Sequence, residues 1–304
     1  MPGEIDVEDV LRRVPGWSDD SRIIGYIEGG MTNRNLRIEI TGEQFVVRLP
    51  GRNTQSLEID RQIERIANER ANALGFAPEV VALIEPEECL VTRFINGELL
   101  LAADFSDPEV IRRIAAMLRA FHNTPPLAHD FNAFDIPRLH CAAAVGLGVP
   151  IPDAYLQVSE IVEEISKAFA VLPEALKPCH NDLLLANFVI EGPKIWLLDW
   201  EYAGMNNPFF DLANLANNAS LTAEAEVELV GAYYGSVSQR NLARMRLMKI
   251  LSDARESMWA VVQQGNRSLD FDYIGYASEH FDRLFTNAAS PGYRSLLEAA
   301  ALTD

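Results

Sequence analysis

Three oxygen-bearing side chains stand in a fixed order in the second half of this 304-residue chain. Asp182 and Asn187 are separated by four residues in His180-Asn181-Asp182-Leu183-Leu184-Leu185-Ala186-Asn187. Asp199 follows in Leu197-Leu198-Asp199-Trp200-Glu201-Tyr202. The pattern is H-x-D-x-x-x-x-N with a second Asp on the next strand, and the chemistry it fits is phosphoryl transfer. That reaction needs little covalent work from the protein, only a positioned nucleophile, neutralised phosphate charge and exclusion of water. Asp182 would accept or orient the proton of an attacking hydroxyl. Asn187 and Asp199 would hold Mg²⁺ through oxygen, as a hard cation prefers. Each residue alone also fits a polar loop followed by a buried strand with a capping Asp. Their order and spacing together favour the catalytic reading.

Two weaker features could serve the same reaction. Glu28-Gly29-Gly30-Met31-Thr32-Asn33 sets a Gly pair between two expected strands. Backbone N–H groups there could approach a triphosphate closely, although a plain hairpin turn would use the same residues. No G-x-x-x-x-G-K-[ST] occurs, which argues against a P-loop enzyme. Arg48, on an expected strand, could reach the α- and β-phosphates if Glu64 on the following helix held it. The alternative is a surface Arg and a solvated Glu.

The elements that must position these groups follow from the hydrophobic pattern. Arg22 to Glu28, Asn35 to Ile40 and Gln44 to Leu49 read as strands, the last two joined through Thr41-Gly42. In the third, Phe45, Val47 and Leu49 share one face, and Val46 and Arg48 the other. Ser56 is a candidate N-cap for a helix over 57–74, with Ile59, Ile63, Ile66 and Leu74 at helical spacing and Gly75 as the stop. A strand pair is expected at Val80–Ile84 and Cys89–Phe94, and Ile95-Asn96-Gly97-Glu98 reads as a short link. Helices then dominate: one opened by Asp107-Pro108, one over Ala154 to Val171, and most of Leu212 to Leu302. Two short strands, Phe188–Ile190 and Ile195–Trp200, interrupt them. Strands first and helices later define an α+β protein of two lobes. The division is residues 1–96, a nucleotide-binding lobe, and residues 97–304, a catalytic and substrate-binding lobe.

These segments together resemble the choline/ethanolamine kinases, a branch of the aminoglycoside-phosphotransferase family with a protein-kinase-like fold. The likeness covers roughly residues 25 to 285. It rests on Gly-Gly-Met-Thr-Asn, on Val-Val-Arg-Leu with Arg where protein kinases have Lys, on His-Asn-Asp…Asn, and on Asp199-Trp200-Glu201-Tyr202. A fifth part is Trp259-Ala260-Val261-Val262-Gln263 with Phe271-Asp272-Tyr273-Ile274-Gly275-Tyr276-Ala277. The resemblance implies an antiparallel-sheet lobe with one main helix and a larger, mostly helical lobe. It also implies Mg²⁺-dependent transfer from ATP to the hydroxyl of a small cationic alcohol, choline or ethanolamine, as in phospholipid-precursor metabolism. By the same resemblance Asp182 matches the base, and Asn187 and Asp199 the metal ligands. Gly29, Gly30, Thr32 and Asn33 match the nucleotide loop, and Arg48 and Glu64 the phosphate-binding pair. His180 and Asp211 match structural supports of the catalytic loop.

A quaternary ammonium donates no hydrogen bonds, so aromatic faces and nearby carboxylates hold it best. Trp259, Tyr276, Tyr202 and Glu201 have that chemistry, although Trp259 and Tyr276 would equally pack a helix pair. The eukaryotic enzymes commonly carry a second Trp where this chain has Glu256, and an acidic residue where it has Asn217-Asn218. A cage with Glu256 in place of that Trp would suit a primary or secondary amine better than choline. The alternatives are a kinase of another hydroxylated amine or sugar, of the aminoglycoside or thiamine type, and a non-catalytic nucleotide-binding pseudokinase.

Composition narrows the partners. With 44 acidic and 26 basic side chains the net charge is −18, which repels phosphate backbones and makes nucleic acid an unfavourable partner. The same field attracts a cationic small molecule, though solubility alone would also explain it. No apolar run has the length of a membrane span, and the first residues lack the charged-then-apolar pattern of a signal peptide, so the expected location is the cytoplasm. Three scattered cysteines, Cys89, Cys141 and Cys179, make neither a disulfide framework nor a zinc site.

Overall fold

The computed structural model describes residues 5–17, 22–27, 33–51, 57–266 and 271–302. A short helix α1 (Val7–Arg12), capped by Asp6, precedes three antiparallel strands, β1 (Arg22–Ile27), β2 (Arg34–Ile40) and β3 (Glu43–Leu49). Thr41 and Gly42 both take positive φ in the β2–β3 turn, which matches the twist of a two-residue hairpin. With β4 (Val80–Ile84) and β5 (Cys89–Arg93) these strands form one antiparallel sheet, order β1-β2-β3-β5-β4. Alternation puts Phe45, Val47 and Leu49 on its buried face. Val10, Leu11 and Val14 pack there against Leu36, Ile38, Val47 and Val91. The sequence reading passed over α1, whose six residues are too few to show a helical period.

The main helix of this region, α2, runs Arg61–Ala73, not from residue 57. Asp60 is its cap, accepting from the backbone N–H of Gln62 at 2.9 Å and of Ile63 at 3.0 Å. Ser56 lies outside the described residues. Glu64 therefore lies in the first turn. Ile63, Ala67 and Ala71 form the buried stripe, while Leu74, expected to share it, is 44% exposed at the helix end.

Past residue 96 the chain adds β6 (Glu98–Leu99), α3 (Pro108–His122), α4 (Ile136–Gly146), α5 (Ala154–Ala170) and β7 (Lys177–Cys179). Gly97 is needed where it stands, because a Cβ there would overlap the Ile190 carbonyl and approach Val189 Cγ1 to 2.7 Å. Then come β8 (Phe188–Glu191), β9 (Lys194–Leu197), β10 (Gly204–Asn206), α6 (Pro208–Asn218), α7 (Ala223–Tyr234), α8 (Gln239–Asn266), α9 (Tyr273–Ala288) and α10 (Tyr293–Ala300). The strands pair as β6-β8-β9 and β10-β7. The central helix α8 is buried on nearly every side from Asn241 to Gln263, so it lacks the one-sided stripe of a surface helix. The larger apolar core gathers around it and also takes in Leu57, Ile59, Ile63, Ala67, Ala71 and Phe76. The stripe of α2 therefore belongs to the helical core, and this seats Glu64 between the sheet and the catalytic loop. No described helix is long and apolar enough to cross a membrane.

Candidate active site

The catalytic stretch leaves β7 and is pinned at each turn. Asp211, wholly buried in the first turn of α6, accepts from the backbone N–H of His180 and of Asn181, both at 2.8 Å, and from His122 Nε2 at 2.9 Å. Burial alone would raise its pKa, but the His122 and backbone hydrogen bonds outweigh that and hold it below the usual range. Asn181 sits at φ +68°, in the left-handed region that Asn tolerates. Its side chain donates to the Tyr202 carbonyl at 2.9 Å and accepts from Asn206 at 2.9 Å. His180 donates from Nε2 to the Leu198 carbonyl at 2.9 Å and accepts at Nδ1 from the Asp182 N–H at 3.2 Å. Burial pushes its pKa down to about 4, so the ring is neutral.

Asn187 ends a single 3-10 turn before β8. Its amide donates to the Asp182 carbonyl at 2.9 Å, and its own carbonyl accepts from Leu198 N–H at 2.8 Å. The side-chain Oδ1 is thereby left as the free end. The strand expected over Ile195–Trp200 stops at Leu197, and Asp199 turns off it at φ +62°. Asp199 Oδ1 is buried and 3.0 Å from Arg48 Nη1, yet it receives no aligned hydrogen bond. Oxygen donors of this kind, Asn187 Oδ1 and a carboxylate short of partners, fit Mg²⁺.

Arg48 pairs with Glu64 as well as with Asp199. Beside it Arg61 donates to Glu64 Oε2 at 2.7 Å, Glu201 Oε2 at 3.0 Å and Asn33 Oδ1 at 2.8 Å, and Asn33 donates to Glu201 at 2.7 Å. Glu201, expected against the substrate, thus carries its charge into a buried tie between the sheet region and the strand of Asp199. The Arg61 charge and the Asn33 hydrogen bond hold its pKa low in spite of burial. Asn33 is held in this tie; Gly29, Gly30 and Thr32 lie outside the described residues.

Arg255 joins Asp182 to an aromatic group. Trp259 donates from Nε1 to Tyr202 Oη at 2.9 Å and meets Tyr276 edge-on, centroids 5.9 Å apart. Tyr276 donates to Glu256 Oε2 at 3.0 Å, and the other oxygen of Glu256 is held by Arg255. Glu256 is therefore buried and charge-paired, 2% exposed, not an open anionic wall. Arg255 also contacts Asp182 Oδ1 at 3.2 Å.

Five carboxylates (Glu64, Asp182, Asp199, Glu201, Glu256) meet three guanidiniums (Arg48, Arg61, Arg255) here. With all five ionised the surplus is two negative charges, the charge of one divalent cation, and a bound cation would favour that ionised state. Burial, opposed by Arg255, pushes the Asp182 pKa up to about 8. Burial opposed by Arg48 brings Asp199 up to about 6.

Sequence reasoning missed Arg61, Arg255 and His122, and also Asn214 and Asn218, which hold the two ends of Leu183. The available signal for Arg61 was its spacing three residues before Glu64. For Arg255 it was a charge beside Glu256 within the Trp259 segment.

A five-stranded antiparallel sheet over a helical region, with an Asp–Asn–Asp centre between them, defines a protein-kinase-like phosphotransferase. The profile of the Phosphotransferase enzyme family (APH) matches residues 24–248, and the chain belongs to that family. It is an ATP-dependent phosphotransferase. It is 26% identical over 268 residues to Protein LicA of Haemophilus influenzae, covering 84% of this chain and 77% of that protein. A choline/ethanolamine kinase family protein from Mesorhizobium loti superposes with TM-score 0.80 at 26% identity, covering 97% of this chain and 98% of that one. Choline kinase LicA from Streptococcus pneumoniae gives TM-score 0.76 at 27% identity, covering 88% and 94%.

Proposed function

We propose that this enzyme transfers the γ-phosphoryl group of ATP to the hydroxyl of choline or ethanolamine. The observation that carries the reading is the setting of Asp182, bonded to Asn187 and joined through Arg255 to the Tyr202–Trp259–Tyr276 cluster. Asp182 takes the hydroxyl proton as the oxygen attacks phosphorus. Arg48, steadied by Glu64, orients the phosphates. Asn187 and Asp199 would hold Mg²⁺, which neutralises phosphate charge when bound. The acidic surplus and the aromatic rings favour an acceptor bearing a positive charge. Residues 1–96 are the nucleotide side and residues 97–304 the acceptor side, and the location proposed is the cytoplasm.

The test is ADP release with choline, ethanolamine, thiamine and an aminoglycoside side by side. Turnover concentrated on one of the two amino alcohols supports the assignment. Preference for the aminoglycoside or thiamine, with both amino alcohols inert, rejects it.

A further inference from the structure

Arg255 lies midway along α8, 2% exposed, in the wall that faces the catalytic loop. Its Nη1 reaches two carboxylates, Asp182 Oδ1 at 3.2 Å and the adjacent Glu256. The guanidinium also lies over the Tyr202 ring, 4.5 Å from its centroid. From Tyr202 the contacts continue through Trp259 and Tyr276 back to Glu256. They close a circuit that contains both the proposed base and the aromatic side of the pocket.

A buried guanidinium is costly unless its partners compensate, and for packing alone an apolar side chain of similar volume would do as well or better. What Arg does that an apolar residue does not is fix two carboxylates and one aromatic plane together. With Asp182 Oδ1 held, Oδ2 is the oxygen left to meet an acceptor hydroxyl. The nucleotide side has its own guanidiniums, Arg48 and Arg61, tied through Glu64.

Resting on the roles proposed above for Asp182 and the aromatic cluster, we propose that Arg255 is a positioning residue that aims the Asp182 carboxylate at the acceptor hydroxyl and braces the acceptor wall. It acts through Asp182 and serves the acceptor half of the reaction, not the binding of ATP. Lys is a poor replacement, since a compact ammonium lacks the planar guanidinium that lies over the Tyr202 ring while Nη1 reaches both carboxylates.

The experiment is a double-mutant cycle between Arg255→Met and Asp182→Asn, read by kcat on whichever acceptor the wild type turns over. Calorimetric affinity for Mg·ATP is measured beside it. Arg255→Met in the wild-type background should lower kcat about 100-fold, the scale of a misplaced catalytic group, with nucleotide affinity changed less than about threefold. In the Asp182→Asn background the same substitution should cost less than about threefold, because the group it positions is already disabled. Equal losses in both backgrounds, or an unchanged kcat in folded Arg255→Met, overturn the proposal. If Arg255→Met does not fold, Arg255→Lys keeps the charge, and kcat should still fall at least about tenfold with Mg·ATP affinity intact; wild-type kcat in that variant overturns it as well. Turnover of an aminoglycoside instead of an amino alcohol would defeat the proposed function, and the cycle on that acceptor would still decide the role of Arg255.

Discussion

Asp199 shows how a single residue's surroundings set its chemistry. It leaves the end of β9 at a left-handed φ, which lifts its carboxylate off the strand toward Arg48. Burial brings its pKa up to about 6 in the metal-free protein. A raised carboxylate pKa means a bound proton below that pH, and Mg²⁺ must displace it to bind. Apparent Mg²⁺ affinity should therefore be level above about pH 7 and weaken by up to about tenfold per unit below pH 6. Calorimetric titration of Mg²⁺ at pH 5, 6 and 7.5 checks this, and an affinity independent of pH would contradict it.

At the scale of elements, α6 is the brace of the catalytic loop. Asp211 in its first turn holds His180 and Asn181, and Asn214 and Asn218 hold Leu183. Asn at position 211 would turn an NH₂ group toward donors that need an acceptor. Asp211→Asn should cost about 2–4 kcal/mol in stability, because buried donors lose their partner, and should lower kcat as the loop loosens. Denaturant melts and steady-state rates on one preparation measure both. A variant with wild-type melting would deny α6 this role.

The elements also show what could be read from sequence. The β2–β3 hairpin, the strand pair after α2 and the helices after residue 107 announce themselves through alternation, Gly turns and caps. Trp259 and Tyr276 stand out in the sequence because their types are rare and the family's spacing is kept, and the structure brings them together. Arg255 and Arg61 were not, since their function lies in partners 73 and 140 residues distant, Asp182 and Glu201. Glu201 was misjudged for the same reason. Its neighbours in sequence are aromatic, but the partners of its carboxylate come from Asn33 and α2. The start of α2 was missed because Ile59, one turn before Ile63, continues the apolar period past Asp60, the residue that caps the helix.

At the scale of the whole molecule, the core carries imidazoles in their neutral form. His140 on α4 is fully buried, and burial together with the nearby Arg255 charge drives its pKa down to about 3 in spite of a contact with the Arg255 backbone. His180 lies at about 4, by burial. Unfolding frees both to take up a proton near pH 6.5, so the unfolded state binds more protons between the two values. As pH drops below about 6.5 each ring therefore takes away about 1.4 kcal/mol of stability per pH unit, a trend opposed over the same range by Asp182 and Asp199, whose raised pKa values make the folded state bind protons more readily than the unfolded chain. His140→Leu, which removes the titrating ring at similar volume, should remove that ring's share of the pH dependence, about 1.4 kcal/mol per unit. Denaturant unfolding between pH 4.5 and 7.5 measures the slope; an unchanged slope in the variant would contradict the account.

The central claim is that Asp182 drives phosphoryl transfer to the hydroxyl of a small cationic alcohol. Phosphorus NMR of the enzyme with Mg·ATP and either choline or ethanolamine tests it most directly. The predicted result is a new phosphomonoester signal growing in step with ADP, slowed about 100-fold or more by Asp182→Asn. ATP consumed without phosphomonoester from either alcohol, or an Asp182→Asn variant as fast as the wild type, would contradict it.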